Sequence, residues 1–190
     1  MINIAIETSL GRLTAEIYDE KAPKTAAYFL RYVDEGFYNG AKIYRSLRDD
    51  NQGASNAKID VVEMGHCNAY YDRILRHGMG EGEVYDETQG FIPPYPKIRV
   101  ETTEETGIRH LDGTLSLGRD NVDQVDTNIF VCIGPQPNLD YGGARHPDGY
   151  GFSAFGKITD GMELIRRIHQ MPVEGQRITE DITIYKIERI

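Results

Sequence analysis

The sequence predicts a mainly β protein in which an antiparallel sheet closes into a barrel or sandwich with two helices packed on it. Three observations carry that expectation. Short runs alternate apolar and polar residues with a period of two, as half-buried strands do. Only two stretches, one opening at Pro23 and one near Asp160, space their apolar residues by three and four. Those two helical stretches lie far apart, so the order of elements is not the regular strand–helix alternation of a parallel sheet.

Taken from the N-terminus, Ile2, Ile4 and Ile6 share one face with Asn3 and Glu7 on the other, Ser9-Leu10-Gly11-Arg12 supplies a hairpin turn, and Leu13 to Tyr18 returns as a second strand. Pro23 suits a first helical turn, and Ala26, Phe29, Leu30, Val33 and Phe37 form one apolar stripe before Gly36 and Asn39-Gly40 end it. Asp160 with Glu163 three residues on reads as a capping box for the second helix; Met162, Ile165 and Ile168 form its stripe and Pro172 stops it. Between them, residues 59–64, 97–100, 114–117 and 128–133 are expected as strands, and 182–187 as a last one. Residues 68–96 and 134–151 read as long loops rich in Gly and Pro. Loops of that length are uncommon, so both are candidate walls of a site, with a solvated insertion as the alternative for 68–96.

A length of 190 residues suits one domain spanning 1–190, and 39% hydrophobic residues place it among ordinary globular chains. Thirty acids against 21 bases leave a formal net charge of −9, which argues against nucleic acid as a partner. No run approaches the ~18 apolar residues of a membrane helix, and no basic-then-apolar leader opens the chain. Cys67 and Cys132 are expected as reduced thiols, so a cytoplasmic location is the expectation, and a mature exported domain would read the same way; a monomer is the default expectation, with nothing in the sequence constraining the oligomeric state.

Several blocks, in order, resemble the cyclophilin family over nearly the whole chain. Thr8 to Leu13, Glu16-Ile17-Tyr18 and Ala22-Pro23-Lys24-Thr25-Ala26 are similar to its opening hairpin and first helix. Tyr38-Asn39-Gly40 and Ile43-Tyr44-Arg45 resemble the segments leading into its active site. His110 to Leu117, Thr127 to Cys132, Leu139-Asp140 and Phe155 to Met162 continue the series. The resemblance implies a closed eight-stranded antiparallel β-barrel capped by two α-helices, and peptidyl-prolyl cis–trans isomerase activity on proline-containing segments of client proteins, with no cofactor and no metal.

It also implies a site. Arg45 matches the family's catalytic arginine. Tyr44, Val61, Glu63, Gly118, Arg119, Asn128, Phe130 and Leu139 match substrate-binding positions. Five positions depart from the family pattern. Tyr44 stands for a histidine, Glu63 and Asn128 for glutamines, Asp60 for a pocket phenylalanine and Asn138 for a tryptophan, beside an insertion from Arg48 to Lys58. Glu63 is expected to pair with Arg45 across the groove and partly neutralise it. With Asp60, Glu63 and Asn138 in the groove, a rival reading keeps the fold and makes the protein a proline-peptide binding or chaperone-like module. Two others are weaker. A metal site from His66, Cys67, His110, Cys132 and His146 lacks ligand spacing, and a hydrolase built on Ser116, His110 and Asp112 lacks the nucleophile elbow.

Overall fold

The computed structural model describes residues 1–90 and 92–190. Among these residues nine strands run in chain order: β1 (Ile2–Thr8), β2 (Gly11–Ile17), β3 (Lys42–Leu47), β4 (Val61–Gly65), β5 (Thr114–Arg119), β6 (Val125–Cys132), β7 (Ser153–Asp160), β8 (Val173–Glu174) and β9 (Arg177–Arg189). Hydrogen bonding joins them in the order β1-β2-β7-β5-β6-β4-β3-β9, and β9 also pairs with β1. Eight strands thus close a barrel without a free edge, every pair antiparallel, and β8 is a two-residue flap on β9.

Strand alternation sorts the apolar residues into two clusters. Ile4, Ile6, Leu13, Ile17, Ile43, Val62, Met64, Leu115, Ile129, Val131 and Phe155 belong to the main core. Their neighbours Leu47, Val61, Phe130 and Cys132 point the other way, and with Ile59, Leu139 and Phe152 they build a separate apolar patch on the outer face of β3, β4 and β6.

Helix α1 (Pro23–Asp34) starts as its proline suggests, but its N-cap, Ala22, has no capping side chain. The buried carboxylate of Glu101 takes that role from far along the chain, accepting from the Thr25 N–H (2.6 Å), the Thr25 hydroxyl (2.7 Å) and the Lys24 N–H (3.2 Å). A negative charge there also opposes the positive end of the helix dipole. The helix ends before Phe37, which packs on the core from the turn after Gly36.

Among the described residues four α-helices form, two more than the sequence predicts: α2 (Ala69–His77), the short α3 (Thr103–Thr106) and α4 (Met162–His169) join α1. Residues 68–77 are therefore not loop. Asn68 caps α2 by accepting from the Tyr71 N–H at 2.9 Å, but Leu75 is its one buried residue, so the apolar stripe is too thin to announce a helix. The Asp160–Glu163 capping box is absent. Asp160 is committed to β7, opposite Thr14, and Gly161 begins α4 at φ 93°, where a Cβ would lie 2.5 Å from Leu13. The strand expected over 97–100 reduces to one bridge, Ile98 with Val125. Pro96 offers no N–H before it, and Glu101 after it is drawn away to α1.

Candidate active site

The outer apolar patch is the floor of a cleft of about 290 Å³. Ligand clefts run from ~300 to ~1,000 Å³, so this one suits a small group better than a folded surface. Leu47, Ile59, Val61, Phe130, Leu139 and Phe152 line it, with Arg45 and Glu63 among its polar groups.

A bulge sets the position of Arg45. In β3, Ile43 pairs with Met64 and Arg45 pairs with Glu63, so Tyr44 is an extra residue and the register slips by one. Simple alternation would put Arg45 on the same face as Ile43, inside the barrel. The bulge turns it outward, directly across from Glu63 and beside the apolar floor.

Four hydrogen bonds then hold the guanidinium. One NH1 hydrogen goes to Glu63 Oε2 at 2.9 Å and the other to the Tyr71 hydroxyl at 2.8 Å. Nε and NH2 both donate to Gln176 Oε1, at 2.9 and 2.6 Å. A guanidinium has five N–H groups, so among the described residues one NH2 hydrogen is left over. The side chain is 18% exposed, and that exposure is into the cleft.

Glu63 divides its oxygens between two partners: Oε2 on Arg45, and Oε1 accepting from the Tyr44 hydroxyl at 2.6 Å. Tyr44 is fully buried and does not line the cleft; burial first, and Glu63 second, push its phenol far above the usual range, so it stays a donor. The expected substrate contact at Tyr44 is thus replaced by a supporting position behind Glu63.

Val61, Glu63, Gly118, Arg119, Asn128, Phe130 and Leu139 all line the same cleft as Arg45. The Arg119 side chain itself is fully buried, donating to Asp148 at 2.8 and 2.6 Å and to the Gly151 carbonyl at 2.6 Å. The Asn128 side chain presents a buried Oδ1 with no partner among the described residues. Two of the departures do not reach the cleft. Asp60 lies between Ile59 and Val61 and turns away from both, its carboxylate 3.5 Å from His169. Asn138 donates to the Lys58 carbonyl at 3.5 Å.

Sequence reasoning missed Tyr71, Gln176, Arg145 and Phe152. Tyr71 carries a signal, since Asn68 is a good cap and Asp72 and Arg76 form a pair at helical spacing, 2.7 Å apart. Gln176 carries none; it reaches Arg45 because the β8–β9 turn folds back on α2, where its N–H donates to the Leu75 carbonyl at 2.8 Å.

A Ser–His–Asp arrangement does form, with Asp140 and not Asp112 as its acid. His110 Nδ1 donates to Asp140 Oδ1 at 2.8 Å and Nε2 accepts from Ser116 at 3.0 Å, while Asp112 pairs with Arg166. A carboxylate cannot donate, which fixes the neutral tautomer. Burial lowers the His110 pKa against the opposing pull of Asp140. Ser116 and the His110 ring are completely buried, so no substrate reaches them. Cys132 is buried in the cleft floor, Cys67 is half-buried, and both are free thiols.

A family profile described as cyclophilin type peptidyl-prolyl cis-trans isomerase/CLD matches residues 3–189. The chain belongs to that family. Among cyclophilin relatives, peptidyl-prolyl cis-trans isomerase A of Dickeya dadantii is 24% identical over 174 residues, covering 91% of this chain and 74% of that protein. A crystal structure of a Cryptosporidium parvum cyclophilin type isomerase superimposes with a TM-score of 0.67 at 16% identity, covering 100% of this chain and 97% of that one. A second crystal structure of that protein, determined in the presence of the dipeptide Ala-Pro, gives a TM-score of 0.66 at 16% identity over 99% and 98% of the two chains. The barrel described above is therefore the cyclophilin fold.

Proposed function

We propose that this cyclophilin accelerates rotation about X-Pro bonds in extended segments of client proteins, with Arg45 as the group that acts on the proline nitrogen. The bond has partial double-bond character and a barrier of ~18–20 kcal/mol. Rotation removes the amide resonance, and the nitrogen gains a lone pair that the planar form lacks. A donor fixed in place before the reaction stabilises that twisted state more than either planar isomer, which is what lowers a barrier. No nucleophile takes part in this route.

One observation carries the reading: a guanidinium held by four hydrogen bonds stands over an apolar floor and keeps one N–H for a ligand. The floor of Val61, Phe130 and Leu139 takes the pyrrolidine ring, and Asn128 lines the same cleft as a polar neighbour. The binding-module rival keeps one support, the Glu63 carboxylate on Arg45, and loses two, since Asp60 and Asn138 stand outside the cleft.

Exchange spectroscopy on a short Ala-Pro peptide tests the proposal. Uncatalysed exchange takes tens to hundreds of seconds. Acceleration by the protein that disappears in Phe130→Ala supports it. Saturable binding of the same peptide with no acceleration transfers the function to the rival.

A further inference from the structure

Three of the charged side chains that line the cleft are paired with an opposite charge. Arg45 has Glu63 at 2.9 Å, Arg119 has Asp148 at 2.6 Å and Asp120 has Lys97 at 2.9 Å. Asp126 accepts from the Thr127 N–H at 2.6 Å, and burial raises its pKa above the ordinary carboxylate value. Arg145 faces the same cleft with no carboxylate within ion-pair distance among the described residues. Its NH1 donates to two neutral oxygens, Gln52 Oε1 at 3.0 Å and the Ala57 carbonyl at 3.2 Å. That leaves three of its five N–H groups, those on Nε and NH2, without a partner among the described residues.

The guanidinium is also held in place. Gln52 is fixed by donating to the carbonyls of Arg48 and Ile59, both at 2.7 Å, and by accepting from the Ile59 N–H at 3.2 Å. The Arg145 N–H donates to the Asn138 carbonyl at 3.1 Å, and Asn138 reaches Lys58. The insertion from Arg48 to Lys58 thus braces Arg145 from behind, and Leu139 and Arg145 of the segment 138–145 line the cleft. Burial and the nearby Arg45 charge both lower the Arg145 pKa, as expected of a cation without a counter-ion.

We propose that Arg145 is a specificity residue that selects proline segments carrying a carboxylate side chain close to the proline. A fixed, half-buried guanidinium with free N–H groups binds a carboxylate through short, charge-assisted bonds, while a neutral isostere leaves it uncompensated. The biological use of this preference rests on the isomerase reading; the binding chemistry does not.

The test uses blocked Ala-based hexapeptides containing one proline, with Glu or Gln at each of the two positions on either side. Affinity for the whole protein is read by NMR titration at low and high salt, and isomerisation of the same peptides is read in parallel. At one position or more, Glu should bind ~10-fold more tightly than Gln, within the range of a charge-assisted hydrogen bond. Salt should weaken the preference, Arg145→Gln should reduce it to near unity, and Arg145→Lys should retain part of it. No preference for Glu at any position in the parent overturns the proposal, as does a preference that survives Arg145→Gln undiminished. Should Arg145→Gln not fold, Arg145→Lys and the salt series decide: a preference unmoved by both refutes it. A parent that prefers Glu but accelerates nothing keeps this inference and loses the isomerase reading. One that accelerates Gln peptides without preferring Glu does the reverse.

Discussion

Replacing Glu63 by Gln asks how much of the Arg45 charge reaches the cleft. The change is nearly isosteric and leaves three of the four bonds to the guanidinium intact, since Tyr71 and Gln176 remain. A glutamine oxygen can accept from NH1 in place of Oε2. What disappears is a full negative charge 2.9 Å from the donor, in a side chain only 11% exposed and so little screened by water. Hydrogen bonds from charged donors contribute ~1.5–3 kcal/mol and those between neutral groups ~0.5–1.5 kcal/mol. A guanidinium partly neutralised by its carboxylate lies between, so unmasking it should gain about 1 kcal/mol at the transition state, or about fivefold in rate. The assay is exchange spectroscopy on an Ala-Pro peptide, with the melting temperature of both proteins measured alongside. A mutant with unchanged stability that is slower than the parent would falsify the reasoning, because it would mean that the carboxylate assists catalysis instead of dimming the donor.

Tyr71→Phe removes one acceptor from Arg45 without touching the cleft floor; looser placement of the guanidinium should lower kcat severalfold with little change in KM, and an unchanged kcat would remove Tyr71 from the positioning network. His110 supplies a pH test. Its folded pKa lies below the ordinary 6.5, so the folded state resists the proton that the unfolded chain takes up. Stability should be full above pH 6.5 and fall as the pH drops from there toward the folded pKa, and His110→Asn should flatten the slope of melting temperature between pH 7 and 5. An equal slope in the mutant would assign it to other groups.

Much of the barrel is legible in the sequence because its strands alternate and its two longest-striped helices bury whole faces. Ile4 and Ile6, Leu115 and Leu117, and Ile129 and Val131 all enter the core as their spacing predicts. The failures have physical causes. Glu101 caps α1 from 76 residues away along the chain, and no local pattern records that. Helix α2 buries one residue, so its stability comes from polar contacts such as Asp72 with Arg177 at 2.6 Å, which periodicity does not register. At the site, the resemblance brings Arg45 and Glu63 forward as a pair, but alternation along β3 points Arg45 into the barrel, and only the bulge at Tyr44 reverses it. Asp60 fails as a pocket residue for the converse reason: β4 begins at Val61, and the apolar neighbours on either side of Asp60 take the cleft-facing positions.

The proposed catalysis depends most on the Arg45 donor, and comparing Arg45→Ala and Arg45→Lys with the parent on one Ala-Pro peptide tests it most directly. Loss of one aimed donor costs ~2.7–4 kcal/mol, so Arg45→Ala should be ~10²–10³-fold slower. Lysine keeps the charge but not the fork that meets Glu63, Tyr71 and Gln176 together, and it should recover little of that loss. A folded Arg45→Ala protein that isomerises the peptide as fast as the parent would contradict the account.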